Sequence, residues 1–128
     1  MLLLDTCVLI WMSDRMSRLP LSAQEILRKS ENDLFASSIS AFEVGTKVRQ
    51  KRLELPSQPL EWFERLLEGR GIREIPVTGR IAAASAALPL HHRDPADRIL
   101  VATAIEHRLA ILSPDPFLRA YRGVRVEW

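Results

Sequence analysis

Residues 97–115, DRILVATAIEHRLAILSPD, read as a helix, a strand and an acid in quick succession. Asp97 to His107 is apolar on most sides, which predicts a largely buried helix. Leu109 to Leu112 (LAIL) is a short unbroken apolar run, the mark of a strand covered on both faces. Strands of that kind belong to parallel sheets, whose connections are crossover helices. A helix running into a parallel strand starts at the edge of the sheet where that strand ends. Asp97, at the helix start, and Asp115, just beyond the strand, are therefore expected at one edge.

The remainder of the chain repeats this alternation. Met1 to Leu4 is a second buried strand, ending in Asp5, and Thr6 to about Met12 is helical. Ser22 to Lys29 predicts a helix capped by Ser22, with Glu25 three residues on in the capping-box position. Asp33 to Ser37 (DLFAS) reads as a strand and Ser40 to Gln50 as a helix with Val44 and Val48 on one face. Pro56 and Pro59 mark a loop. Leu60 to Glu68 is amphipathic, and Gly69 and Gly71 end it. Ile72 to Val77 is a strand with Pro76 at an end or on an edge. Gly79 to Leu88 is a helix of small residues stopped by Pro89, Asp115 to Tyr121 is a short helix, and Val124 to Val126 is a last strand. The expected architecture is α/β in three layers, with a central, mostly parallel sheet of four to five strands and helices on both faces.

At 128 residues, 47% apolar and 27% charged, the chain fits a single domain spanning 1–128. No apolar run approaches the ~20 residues that span a bilayer, so no membrane partner is expected. The apolar N-terminus carries Asp5 and no basic leader, and is read as strand and helix rather than a secretory signal. Cys7 is the only cysteine, which suits a reducing, cytoplasmic compartment. A net charge of +2 says little about nucleic acid. The run Lys47, Arg49, Lys51 and Arg52 is either a solvated helix face or a phosphate-facing patch.

Asp5, Glu43, Asp97 and Asp115 each fall near a predicted helix start. Each has a structural reading. Ser40-Ala-Phe-Glu43 matches a capping box. Asp94 with Pro95, and Asp115 with Pro116, match an N-cap followed by proline. As a set they are harder to explain structurally. Strand ends ~4.8 Å apart would bring such acids to within ~5–10 Å of one another. Two carboxylates ~5 Å apart repel by roughly 3 kcal/mol at an effective dielectric of about 20. A helix start returns only ~0.3–1 kcal/mol per acid. A divalent cation offsets the difference, and carboxylate oxygens suit Mg²⁺ or Mn²⁺. The chemistry that follows is metal-assisted attack of water on a phosphodiester.

At these residues the sequence resembles the PIN-domain ribonucleases, and among them the VapC toxins of bacterial and archaeal toxin–antitoxin pairs. The likeness runs through LLLDTCVLIW (2–11), SSISAFEVGTKVRQKRLELP (37–56), LPLHHRDPADRILVATAIEHRLAILSPDPFLRAY (88–121) and RGVRVEW (122–128). It implies a Mg²⁺-dependent endoribonuclease acting on RNA, restrained by a VapB-type antitoxin and forming a homodimer. By motif position, Asp5 and Asp97 become the principal metal ligands. Glu43 completes the site and orients water, and Asp115 supports it. Asp94 stands beside Asp97 in DPADR and is read as a cap adding negative potential. Thr6 and Ser113 match hydroxyl positions beside the acids. Two departures are Cys7, where the family often has a polar residue, and Ser113 in place of threonine.

His91 and His92 are either a solvated loop pair, the preferred reading, or acid–base and RNA-contacting groups. Arg93 and Arg98 are candidates for binding phosphate, and Arg98 equally for a counter-ion to the acids. Trp11 and Trp62 are expected in the core, or as partner anchors if exposed. A receiver-type signalling domain, the main rival from another class, needs a late lysine, and none follows Lys51. An inactive PIN scaffold that works through partner binding is the remaining alternative.

Overall fold

A computed structural model describes residues 1–128. In chain order the elements are β1 (Leu2–Leu4), α1 (Thr6–Asp14), α2 (Leu21–Lys29), β2 (Leu34–Ser37), α3 (Ile39–Arg49), α4 (Pro59–Arg70), β3 (Arg73–Ile75), α5 (Gly79–Ala87), α6 (Pro95–His107), β4 (Ala110–Leu112) and β5 (Val126–Glu127). Short 3-10 turns cover Met16–Arg18 and Pro116–Ala120. The five strands form one sheet in the order β3-β2-β1-β4-β5, and every neighbouring pair is parallel.

The pleat of β1 sorts the core into two layers. Leu2 and Leu4 pack with Val8 and Leu9 of α1, Leu27 of α2 and Phe63 and Leu66 of α4. Leu3 points the other way, onto Ile81 of α5 and Leu100, Val101 and Ala104 of α6. This is the three-layer α/β/α arrangement, with β1 at its centre. The near-continuous burial of α6 that its sequence predicts is present: Ala96, Arg98 and Leu100 through Ala104 are all buried.

Several local expectations are corrected. Ser22 does not cap α2, which begins at Leu21 after Pro20, because the proline already holds the extended entry conformation (φ −61°). Glu25 pairs with Lys29 at 3.0 Å instead of reaching back, and that partner lowers its pKa. Gly69 lies inside α4, and the helix stops at Gly71, whose φ of 63° is the left-handed conformation glycine adopts freely. The helix expected at Asp115 to Tyr121 is a 3-10 turn, and the last strand begins two residues later than expected and ends one later.

Arg98 is the largest correction. It binds no acid and is not open to phosphate. Its buried guanidinium donates to the carbonyls of Ser85 (2.9 Å), Leu88 (2.8 Å) and Pro89 (3.0 Å). These oxygens belong to the C-terminal turn of α5 and the chain leaving it. A helix end needs partners for its last carbonyls, and one arginine supplies several.

Leu3→Ala removes a fully buried side chain from the central strand. It should lower the unfolding free energy by about 3 kcal/mol in urea titration; a loss below 1 kcal/mol would mean the layer is less tightly packed than described.

Candidate active site

The strand order turns at β1. The chain steps to β2 and β3 on one side, then returns to β4 and β5 on the other. Such a switch point opens a crevice at the strand C-termini. Here the backbone N–H of Asp5 donates to the carbonyl of Leu112 at 3.1 Å, holding the exits of β1 and β4 together.

Asp5 is the N-cap of α1, and the residue is only 7% exposed. One oxygen accepts from the Thr6 amide at 2.7 Å, the other from the Ser113 hydroxyl at 2.5 Å. Ser113 Oγ also accepts from the Asp115 amide at 3.1 Å. Burial pushes the Asp5 carboxyl above its usual range, and the Ser113 and Thr6 donors oppose the rise. The Thr6 hydroxyl donates to Glu43 Oε1 at 2.5 Å and stands 2.9 Å from Ser40 Oγ. Glu43 is likewise raised by burial and held down by Thr6. Both hydroxyls singled out in the sequence thus act directly on acids.

Glu43 is not in a capping box. α3 begins at Ile39, whose amide bonds Ser37 Oγ, so Glu43 lies in the second turn and faces Thr6 across the crevice.

Asp97 and Asp115 meet over His92. The ring Nε2 lies 3.1 Å from Asp97 Oδ2 and 2.8 Å from Asp115 Oδ2. The expectation that His91 and His92 form a solvated loop pair fails for His92. Its backbone N–H donates to the Tyr121 hydroxyl at 2.9 Å, while Phe117 meets the ring edge-on. His92 Nδ1 accepts the Asp94 amide at 3.1 Å, which assigns the ring proton of the neutral form to Nε2, facing the two carboxylates. His91 stacks edge-on against Tyr121. Asp97 is pushed up to about 7, first by burial and then by the charge of Asp5, with His92 opposing.

Asp94 caps α6 through the Ala96 amide at 2.9 Å and stays exposed. Asp115 caps the 3-10 turn through the Phe117 amide at 2.9 Å. Arg93 is exposed, and Trp62 is in the core. Trp11 is half-buried, with its ring 6.0 Å from Trp128 and the Arg18 guanidinium over it. Burial raises the Cys7 thiol, with the Asp5 charge adding to the effect, so it packs as an apolar group and is not a reactive thiolate.

Asp97, Asp115 and His92 each offer an atom within 4.8 Å of the others. Asp5 and Glu43 line the inner side of the same crevice. Asp5, Glu43 and Asp97, held above their normal pKa by burial and by neighbouring negative charge, are suited to a hard cation, which would relieve both effects. His92 has the opposite fit: the Nε2 lone pair a metal needs carries the proton in this tautomer, so the ring serves as a donor orienting Asp97 and Asp115. Sequence reasoning missed this because a loop has no periodicity to say where its side chains point.

The PIN domain family matches residues 2–123. The chain belongs to the PIN-domain family. It is 36% identical over 124 residues to Ribonuclease VapC22 of Mycobacterium tuberculosis (strain ATCC 25618 / H37Rv), covering 96% of this chain and 93% of that protein. Its fold is similar to VapBC2 from Rickettsia felis bound to a DNA fragment from their promoter, with a TM-score of 0.73 and 14% identity over 98% of this chain and 96% of that one. It is also similar to DNA-bound VapBC from Salmonella typhimurium, with a TM-score of 0.70 and 15% identity over 98% and 96%. This PIN domain therefore has the three-layer architecture of those structures.

Because Asp97 binds its proton more tightly folded than unfolded, its favourable contribution is complete below about 3.8 and is lost as pH rises through about 7. In EDTA, Asp97→Asn should match the parent in Tm near pH 4 and exceed it by roughly 3–8 °C at pH 8. A Tm difference that stays constant across that range would contradict the assignment.

Proposed function

We propose that this PIN domain is a metal-dependent endoribonuclease and the toxin of a toxin–antitoxin pair. The observation that carries the reading is the convergence of Asp5, Glu43, Asp97 and Asp115 on one crevice, in a chain 36% identical to a ribonuclease over nearly its whole length. Asp5 and Asp97 are the principal ligands for Mg²⁺, with Mn²⁺ a substitute. When bound, the ion supplies an activated water and offsets charge developing on the phosphodiester.

The chain's own groups do the rest. The Ser113 hydroxyl and the Thr6 amide hold both Asp5 oxygens in fixed directions, so the carboxylate needs no reorganisation when a cation arrives. Thr6 aims one oxygen of Glu43, leaving the other to orient water. Asp115 supports Asp97 through their shared contact with His92. Asp94 adds negative potential at the rim without joining the group.

The structural neighbours are toxin–antitoxin complexes, among them one from Klebsiella pneumoniae, and a VapB-type antitoxin is the proposed partner. A groove of about 300 Å³ beside α1 and α4, with Ile10, Met12, Leu53, Leu55, Trp62 and Leu66 in its lining, offers an apolar seat for such a segment. A homodimer and action in the cytoplasm belong to the same reading. No helix is long and apolar enough to cross a membrane.

Purified protein should cleave a pool of structured RNAs with Mg²⁺ or Mn²⁺, and EDTA should stop it. Asp5→Asn should reduce the rate by at least about 100-fold, the scale of one essential electrostatic group. Cleavage that survives both treatments would sink the metal mechanism. Failure to cut any RNA would instead favour a scaffold acting through its partner.

A further inference from the structure

Trp128 stands where strand alternation would not send it. Val124 and Val126 both pack on the α5–α6 side of the sheet. A period of two would put Trp128 on that side as well. Instead it packs against the opposite layer, the one built from α1, α2 and α4. Its ring lies 6.0 Å from that of Trp11, tilted by 50°. The Arg18 guanidinium covers Trp11 at 5.5 Å from the ring centroid. Aromatic pairs and cation–ring contacts add to what burial alone supplies. A segment that would ordinarily fray at the edge of a sheet thus has an anchor on α1.

The anchored segment holds the exit of β4. β5 is a two-residue edge strand, and both residues are only half-buried. The Arg125 carbonyl accepts the Ile111 amide at 2.8 Å, and the Glu127 carbonyl accepts the Ser113 amide at 3.1 Å. Ser113 is fully buried. Its hydroxyl donates to Asp5 Oδ2 at 2.5 Å and accepts from the Asp115 amide at 3.1 Å. A path therefore runs from the Trp128 ring to the adjoining Glu127 carbonyl, on to Ser113, and from there to two of the acids. The path closes on itself. Asp5 is the N-cap of α1, and Trp11 lies on that same helix. Trp128 thereby joins the helix that Asp5 starts to the strand whose exit supplies the second partner of Asp5.

A group that aims a carboxylate must itself be held to within about 0.5 Å. We propose that Trp128 is a positioning residue for the candidate metal site: seated on Trp11, it fixes the Glu127 carbonyl and, through it, the Ser113 hydroxyl that aims Asp5. This rests on the reading of Asp5 as a metal ligand. The competing role is core cover alone, in which Trp128 stabilises the fold and leaves the acids where they are. Two observations favour positioning. Trp128 directly follows Glu127, so no spacer separates the anchor from the carbonyl it places. The residue also abandons the side of the sheet that alternation assigns it, and the side it takes is that of α1.

The test uses the full chain, stripped with EDTA and exchanged into metal-free buffer. Mn²⁺ is then titrated in, and the free ion is read by its electron paramagnetic resonance signal, well below the Tm of every variant. Ser113→Ala should raise the Kd for Mn²⁺ about tenfold or more, the scale set by partners that orient metal ligands. Trp128→Ala should raise it about five- to tenfold, and Trp128→Phe, which keeps a ring against Trp11, should stay within about twofold of the parent. Trp128→Leu keeps apolar cover without the ring and should raise Kd about threefold, so it carries the test if Trp128→Ala does not fold. Leu27→Ala removes a buried side chain from α2 in the same layer. It should lower the Tm and leave Kd within about twofold.

A double-mutant cycle decides whether Trp128 acts through Ser113. Added to Ser113→Ala, Trp128→Ala should change Kd by less than about twofold. Losses that multiply would overturn the proposal, because Trp128 would then act independently of the hydroxyl. So would a loss of Mn²⁺ affinity in Leu27→Ala equal to that in Trp128→Ala, which would mark general destabilisation. If the parent binds Mn²⁺ and Trp128→Ala and Trp128→Leu bind it equally well, the positioning role falls and the metal reading stands. A parent that takes up no Mn²⁺ would overturn both.

Discussion

The buried carboxylate of Asp5, held by the Ser113 hydroxyl and the Thr6 amide, is the constraint on which the rest depends. A charge in that position, at the meeting of β1 and β4, is costly unless each oxygen has a partner. Both partners come from residues that flank the sheet ends, one after each strand. The same two residues reach outward to the next acids. Ser113 also takes the Asp115 amide, and Thr6 directs Glu43. The fold's central register and the placement of three acids are therefore one hydrogen-bonded unit.

That unit is built against electrostatic preference. Asp5, Glu43 and Asp97 are all driven above their ordinary pKa, with burial as the leading cause and one another's charges adding to it. Capping offsets only part of this. Asp5, Asp94 and Asp115 each satisfy helix-start amides, and each such bond returns only ~1 kcal/mol. Capping occupies one oxygen of a carboxylate and leaves the other for a second partner. Asp115 shows the division: Oδ1 takes the Phe117 amide and Oδ2 faces His92.

Cations are distributed by a different logic. Arg98, beside Asp97 in sequence, is spent on the end of α5 and leaves the acids alone. A guanidinium has several donors in a fixed plane, which suits several carbonyls at a frayed helix end better than one carboxylate. Lys47 and Arg52 are left outside, at the mouth of the crevice.

The strand–helix alternation, the buried character of β1, β4 and α6, and the four acids were legible in the sequence, because they depend on hydrophobic periodicity and chain order. Asp5, Asp97 and Asp115 follow from runs such as LLLD and LAILSPD, where a strand's end fixes its neighbour's place. What only the tertiary structure decided was which side chains meet. Ser22 and Ser40 look like caps locally, but α2 starts after Pro20 and α3 after Ser38, with the Ile39 amide bonded to Ser37 Oγ. His92 and Arg98 lie in or beside one polar loop, and nothing in that loop's pattern says that one turns toward the acids and the other away. Local pattern reports burial and backbone preference. Pairing across the crevice depends on how strands distant in sequence stack, and that information exists only once β1 and β4 lie side by side.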